Sequence, residues 1–151
     1  MKYFIKENDW MPRKGGMGFG WGNGYVVIPE GHIFHGVKYS DINESSKIRV
    51  HGGLTFSESV SELSDWDELS GVDKRGWVVG FDTYHNGDTL DSFPEGLVLE
   101  ETQKLVSQLQ KETNTFEISF YNAVSDYKVT QIDLSLEDTD DVLSWFESTF
   151  K

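Results

Sequence analysis

Apolar residues recur along this chain with two different spacings, and the spacing changes near residue 97. Before that point the apolar runs are short and end at glycine or proline, as strands do. Tyr3-Phe4-Ile5 predicts a short first strand, and Tyr25-Val26-Val27-Ile28 a second that Pro29 stops. Lys47-Ile48-Arg49-Val50 alternates and predicts extended structure, continued by Leu54-Thr55-Phe56 beyond a bulge at Gly52-Gly53. Gly76-Trp77-Val78-Val79-Gly80-Phe81 is apolar at almost every position, which predicts burial on both faces and a central place in a sheet. Between these two runs, Ser57 to Asp73 reads mainly as an acidic loop, with one helical turn of Val60, Leu63 and Trp66.

From Leu97 to about Lys111 the period becomes helical. Leu99, Thr102, Leu105, Val106 and Leu109 form the expected apolar stripe, and Glu95, Glu100 and Glu101 suit the positive end of the helix dipole. Further on, Phe116, Ile118 and Phe120 alternate, as do Ile132, Leu134 and Leu136, predicting two more strands. Asp138 or Thr139 would cap a last helix through Val142, Leu143, Phe146 and Phe150. The expected fold class is α+β: a mixed, largely antiparallel sheet with one or two helices packed on one side.

The 151 residues suit a single domain, 1–151, with no linker, repeat or low-complexity tract. All 15 glycines lie at or before Gly96, which separates a glycine-rich, site-bearing part, 1–96, from a regular supporting part, 97–151.

Charge narrows the partners. A formal net charge of −13 argues against a groove that tracks nucleic-acid phosphates and against binding to anionic lipid. It leaves room for an acidic face, Ser57 to Asp73 and Glu137 to Asp141, that engages a basic protein. With no cysteine, disulfides, thiolate metal sites and thiol nucleophiles are excluded. The polar start, Met1 to Glu7, is unlike a signal peptide, and no apolar run nears the ~20 residues of a membrane span, so a soluble cytoplasmic protein is expected.

All four histidines, His32, His35, His51 and His85, stand within two residues of a glycine. Asp82, His85 and Asp88 form Asp-x-x-His-x-x-Asp across a strand end and an Asn86-Gly87 turn. Residues three apart on a strand face opposite ways, so these converge only if the strand ends near Asp82 and the chain turns back. Joined by His51, the set His51, Asp82, His85 and Asp88 suits zinc, manganese or ferrous iron. His51, His85 and Asp82 equally suit metal-free acid–base catalysis, with the carboxylate orienting an imidazole. Asp88, His32, Glu30, Tyr25, Tyr84, Gly52 and Gly53 complete the candidate ligand-binding set. Each also has a plainer role: a histidine before Gly-Gly can bond a turn, and Asp82 and Asp88 can cap backbone N–H groups.

The segment Pro12 to Gly24 is glycine-rich but lacks the order of a P-loop and the strand–helix context of a dinucleotide fold. Three motifs in series are more specific. Gly24-Tyr25-Val26 with Pro29-x-Gly31-His32, then Val50-His51-Gly52-Gly53-Leu54-Thr55-Phe56, then Trp77 with Gly80-Phe81-Asp82-x-x-His85-x-Gly87-Asp88, resemble an uncharacterised family of small phage and prophage proteins. The chain departs from that pattern at Ile33, where a proline is expected, and at Val78, where a second tryptophan is common. The resemblance implies a phage context and host cytoplasm, and no particular activity.

The leading expectation is a His/Asp site that binds a small polar ligand, such as a nucleotide, with a divalent metal assisting hydrolysis. The alternative is a non-enzymatic acidic protein, such as a phage-encoded inhibitor of a basic host partner.

Overall fold

The computed structural model describes residues 1–9 and 18–112. The chain divides into two compact units, Met1–Thr113 and Asn114–Lys151. The strands expected after Thr115, the last helix and residues 12–17 of the Pro12 to Gly24 loop lie outside the described residues.

The fold is α+β, built on an open four-stranded sheet. Its strands are β1 (Tyr3–Glu7), β2 (Gly22–Ile28), β3 (Phe56–Ser59) and β4 (Trp77–Phe81), in the order β1-β2-β4-β3 with every neighbour antiparallel. Thus β4 is central, as its apolar run implies. Register follows from parity: Val26 pairs with Val79 and Tyr25 with Gly80, so β2 and β4 turn alternate residues to opposite faces.

One face carries the two α-helices of the described residues. Val26, Ile28, Val79 and Phe81 pack there with Ile42 of α1 (Tyr39–Ser45) and with Val98, Leu105, Val106 and Leu109 of α2 (residues 95–112). The other face carries Tyr25, Val27 and Val78, covered by Val60, Leu63 and Leu69 from two 3-10 turns, Val60–Glu62 and Asp67–Leu69. Burying one α2 residue such as Leu105 or Leu109 is worth about 1.5–3 kcal/mol, so the stripe anchors the helix firmly. Because those side chains meet β2 and β4, α2 is built into the first unit.

Several expectations change. Lys47 to Val50 joins no strand. Its Arg49 N–H donates to Gln108 Oε1 at 2.7 Å and its carbonyl accepts from Gln108 Nε2 at 2.9 Å, so a helix side chain satisfies the backbone instead of a ladder. Gly22-Asn23-Gly24 is strand rather than loop. The β2 backbone passes so close to α2 that a side chain on Gly24 would overlap Thr102 and the Phe81 ring. On α2, Val98 rather than Leu99 lies in the core, because 98, 102, 105 and 109 keep one helical stripe while Leu99 is turned about 100° away. The polar stretch before Lys47 contains α1, which buries only Ile42.

Candidate functional site

Two turns of like design bring the chemistry together. In the first, the Gly53 N–H donates to the Val50 carbonyl at 2.9 Å, and Gly52, third in that turn, has φ +69°. In the second, the Asp88 N–H donates to the His85 carbonyl at 3.0 Å, and the third residue, Gly87, has φ +94°. A positive φ at the third position is what a type II turn requires, and glycine supplies it without steric cost. Strand β4 ends at Phe81, so the second turn begins four residues beyond it. Asp82 steers that exit: its Oδ1 accepts the Tyr84 N–H at 3.0 Å.

The first turn is held from two sides. Asn43 of α1 donates to the Leu54 carbonyl at 2.8 Å and accepts the Leu54 N–H at 3.0 Å. Glu101 of α2 accepts the His51 N–H through Oε1 at 2.8 Å. The Phe93 ring lies against the His51 imidazole, with centroids 4.2 Å apart. Sequence reasoning missed Asn43, Glu101 and Phe93. Glu101 was legible only as one of several charges on the solvated face of α2, and Phe93 as the lone aromatic before Pro94.

Asp88 is the centre of the cluster and is buried, 6% exposed. His51 Nε2 lies 2.9 and 3.0 Å from its two carboxylate oxygens. Its Oδ2 also accepts the His85 backbone N–H at 2.9 Å, and His85 Nδ1 lies 3.2 Å away. Burial pushes the Asp88 carboxyl up, but the His51 hydrogen bond, the His85 backbone N–H, the His51 charge and the His85 ring together hold it below its ordinary value. An ionised carboxylate only accepts, so His51 donates from Nε2–H and His85 from Nδ1–H. The two rings meet edge to face, with centroids 5.2 Å apart.

One donor atom each from His51, His85 and Asp88 lies within 4.8 Å of the others. An ion about 2.1 Å from each donor would space its neighbours roughly 3.0–3.4 Å apart, close to the spacings around Asp88. Two imidazoles and one carboxylate are a donor set for zinc or for a ferrous or manganous ion, and three protein donors leave positions open to a ligand. No family model, curated protein or solved structure matches this chain.

The other candidate residues are placed as follows. Asp82 stands at the edge of the cluster, its Oδ1 3.6 Å from His85 Nδ1. Gly52 and Gly53 form the His51 turn, and the Gly52 backbone runs directly against the His85 ring. Tyr84 flanks the site, 47% exposed, with its ring stacked on Phe19.

His32, Glu30 and Tyr25 are not brought there. His32 is buried, and both ring nitrogens are engaged: Nδ1 accepts the Phe34 N–H at 3.0 Å, and Nε2 lies 2.9 Å from the Leu109 carbonyl. Glu30 is exposed and pairs with Arg75 at 3.4 Å. Tyr25 points to the opposite sheet face, among Phe4, Phe56 and Trp66. Burial raises its hydroxyl above the ordinary value despite a hydrogen bond from Asn23. Among the described residues no helix is long and apolar enough to cross a membrane.

Proposed function

We propose that His51, His85 and Asp88 hold a divalent transition-metal ion, which takes the place of the protons that His51 Nε2 and His85 Nδ1 otherwise donate to Asp88, and that the ion binds a small polar ligand and activates water to hydrolyse it. The observation that carries this reading is the convergence of two imidazoles, those of His51 and His85, on the buried carboxylate of Asp88. In this reading Asp88 and the two imidazoles would be the ligands, and Asp82, whose Oδ1 lies 3.6 Å from His85 Nδ1, would take a proton from water that the ion activates. Phe93 shields the His51 side, and Glu101 fixes the His51 backbone. A nucleotide would owe its phosphate contacts to the ion, because the chain's charge of −13 repels a polyanion. The resemblance to small phage proteins would set this chemistry in a host cytoplasm.

Elemental analysis of the purified protein, followed by thermal-shift titration of chelator-treated protein with zinc, manganese and ferrous ions, tests the reading. About one ion per chain is expected, with a rise in Tm that saturates as the site fills. His51→Ala and His85→Ala should each abolish that rise, from a metal-free Tm lowered by the loss of a hydrogen bond to buried Asp88. Protein that retains no ion and shows no shift with any of the three metals would end the metal reading.

A further inference from the structure

A second surface lies on the sheet face away from the helices. The chain from Val60 to Lys74 winds through the two 3-10 turns and encloses a cleft of about 620 Å3. Its floor is apolar: Val60, Leu63 and Leu69 are buried, and Trp66 and Val72 are half-buried beside them. Its surroundings are acidic on balance. Residues 57–74 contain Glu58, Glu62, Asp65, Asp67, Glu68 and Asp73 against one basic residue, Lys74, which lines the cleft beside Asp67 and Asp73.

Three of these carboxylates are already engaged: Glu58 accepts the Ser59 N–H at 2.8 Å, and two others bind cations. Glu68 binds Lys6 at 2.9 Å, and Lys6 also lies over the Trp66 ring at 4.8 Å. Asp73 binds Arg75 at 2.9 Å, and that hydrogen bond pulls its carboxyl down to about 2. Asp67 lines the cleft, Glu62 and Asp65 flank its lining residues in sequence, and all three are exposed with no ion pair among the described residues. Lys6 against Trp66 and Glu68 shows within the molecule how this face accommodates a cation: an ammonium group over the aromatic ring and bonded to a carboxylate.

We propose that this cleft docks a basic, amphipathic peptide segment of a partner protein, with apolar side chains on the Leu63–Leu69 floor and lysines or arginines against Glu62, Asp65 and Asp67. Charge complementarity selects this occupant. A polyanion or an anionic bilayer is repelled by the acidic rim, and a second copy of the chain would bring like charge against like. The surface is independent of the His51–His85–Asp88 cluster, so a failure of either reading leaves the other standing.

The test uses the full chain and two fluorescent 15-residue peptides of equal positive charge, one alternating lysine with leucine, the other lysine with glycine and serine. Anisotropy titrations should show the lysine–leucine peptide binding at least tenfold more tightly, with affinity falling as salt rises. The exposed triple variant Glu62→Gln, Asp65→Asn and Asp67→Asn should weaken that binding about tenfold. A control triple, Asp41→Asn, Glu44→Gln and Glu95→Gln, should change it less than twofold. Equal affinity for the two peptides, equal loss in the two triple variants, or no binding to either peptide would each overturn the proposal. So would a self-association in sedimentation that only the first triple variant abolishes, since the face would then be a contact between copies.

Discussion

The Gly52 backbone lies against the His85 imidazole, so that a Cβ on Gly52 would fall within the space of the ring atoms Cε1 and Nε2. The two halves of the candidate site are therefore fitted to one another through a glycine. The chain on either side of it must also accept φ +69° there. Gly53, the next residue, has φ +82°, but its nearest neighbours are the Asn43 amide atoms at 3.5 Å and beyond, which is ordinary contact.

That contrast yields a paired prediction. Alanine at either position costs about 1–2 kcal/mol, the usual penalty for a side chain in the left-handed region. Gly52→Ala also pushes His85 off Asp88, so it should lose the metal-induced rise in Tm as well. Gly53→Ala should keep that rise at a reduced baseline. Thermal-shift titration with zinc checks both, and equal loss in the two variants would show that backbone strain alone governs the site.

Asp88→Asn separates charge from shape. The asparagine fills the same space, but it puts an NH2 where a carboxylate oxygen accepts from His51 or His85. At neutral pH the variant should be less stable by about 1–3 kcal/mol, as expected for disrupting a buried charge-assisted network. The pH dependence has a definite sign. The folded Asp88 carboxyl sits below its ordinary value of 3.8, so its stabilisation is full above that value and is lost as pH falls toward the folded one. Wild type should therefore lose stability faster than Asp88→Asn as the pH is taken from 5 to 3, and the gap should narrow. Denaturation series at those pH values measure it, and a gap that stays constant would mean that the charge is not what stabilises.

The turn that carries His85 and Asp88 was legible in the sequence because local chemistry determines it. An apolar strand that stops at Phe81, Asp82 ready to cap, and Asn86-Gly87 in the turn leave the backbone few alternatives. The central place of β4 was legible for a similar reason, since only an interior strand buries Trp77 to Phe81 from both sides. What failed depends on distant partners. Lys47 to Val50 alternates like a strand, yet its hydrogen bonds go to Gln108, some sixty positions along the chain. Tyr25 and His32 share a motif with true neighbours of glycine turns, but strand parity sends Tyr25 to the other sheet face, and Leu109 claims His32. Helix α1 was not visible because a single buried residue, Ile42, makes no periodic stripe.

Asn43 is the one α1 residue on which the site depends. Its amide bonds both the N–H and the carbonyl of Leu54, in the manner of a backbone partner, and so fixes the chain that leaves the His51 turn. Asn43→Ala should destabilise the fold by about 1–3 kcal/mol and weaken zinc binding at least threefold through added motion of that turn. Asn43→Asp should not rescue it, because a carboxylate accepts from the Leu54 N–H but repels the Leu54 carbonyl. Chemical denaturation and zinc titration of the two variants test this. Full zinc affinity in Asn43→Ala would show that Glu101 alone holds the turn.

His32 gives the opposite expectation, although it too is a histidine beside a glycine. Its Nδ1 accepts from Phe34, so the proton must sit on Nε2, where it is donated to the Leu109 carbonyl near the end of the described part of α2. The ring thus ties the turn after β2 to the helix, and in its buried setting it has no lone pair left for a metal. His32→Ala leaves two buried backbone groups without their partners and should cost about 1–3 kcal/mol or more of stability. Zinc stoichiometry and the size of the metal-induced Tm rise should be unchanged from wild type. If His32→Ala instead kept its stability and lost its metal, the ion would lie on this side of the molecule, and the assignment to His51, His85 and Asp88 would fail.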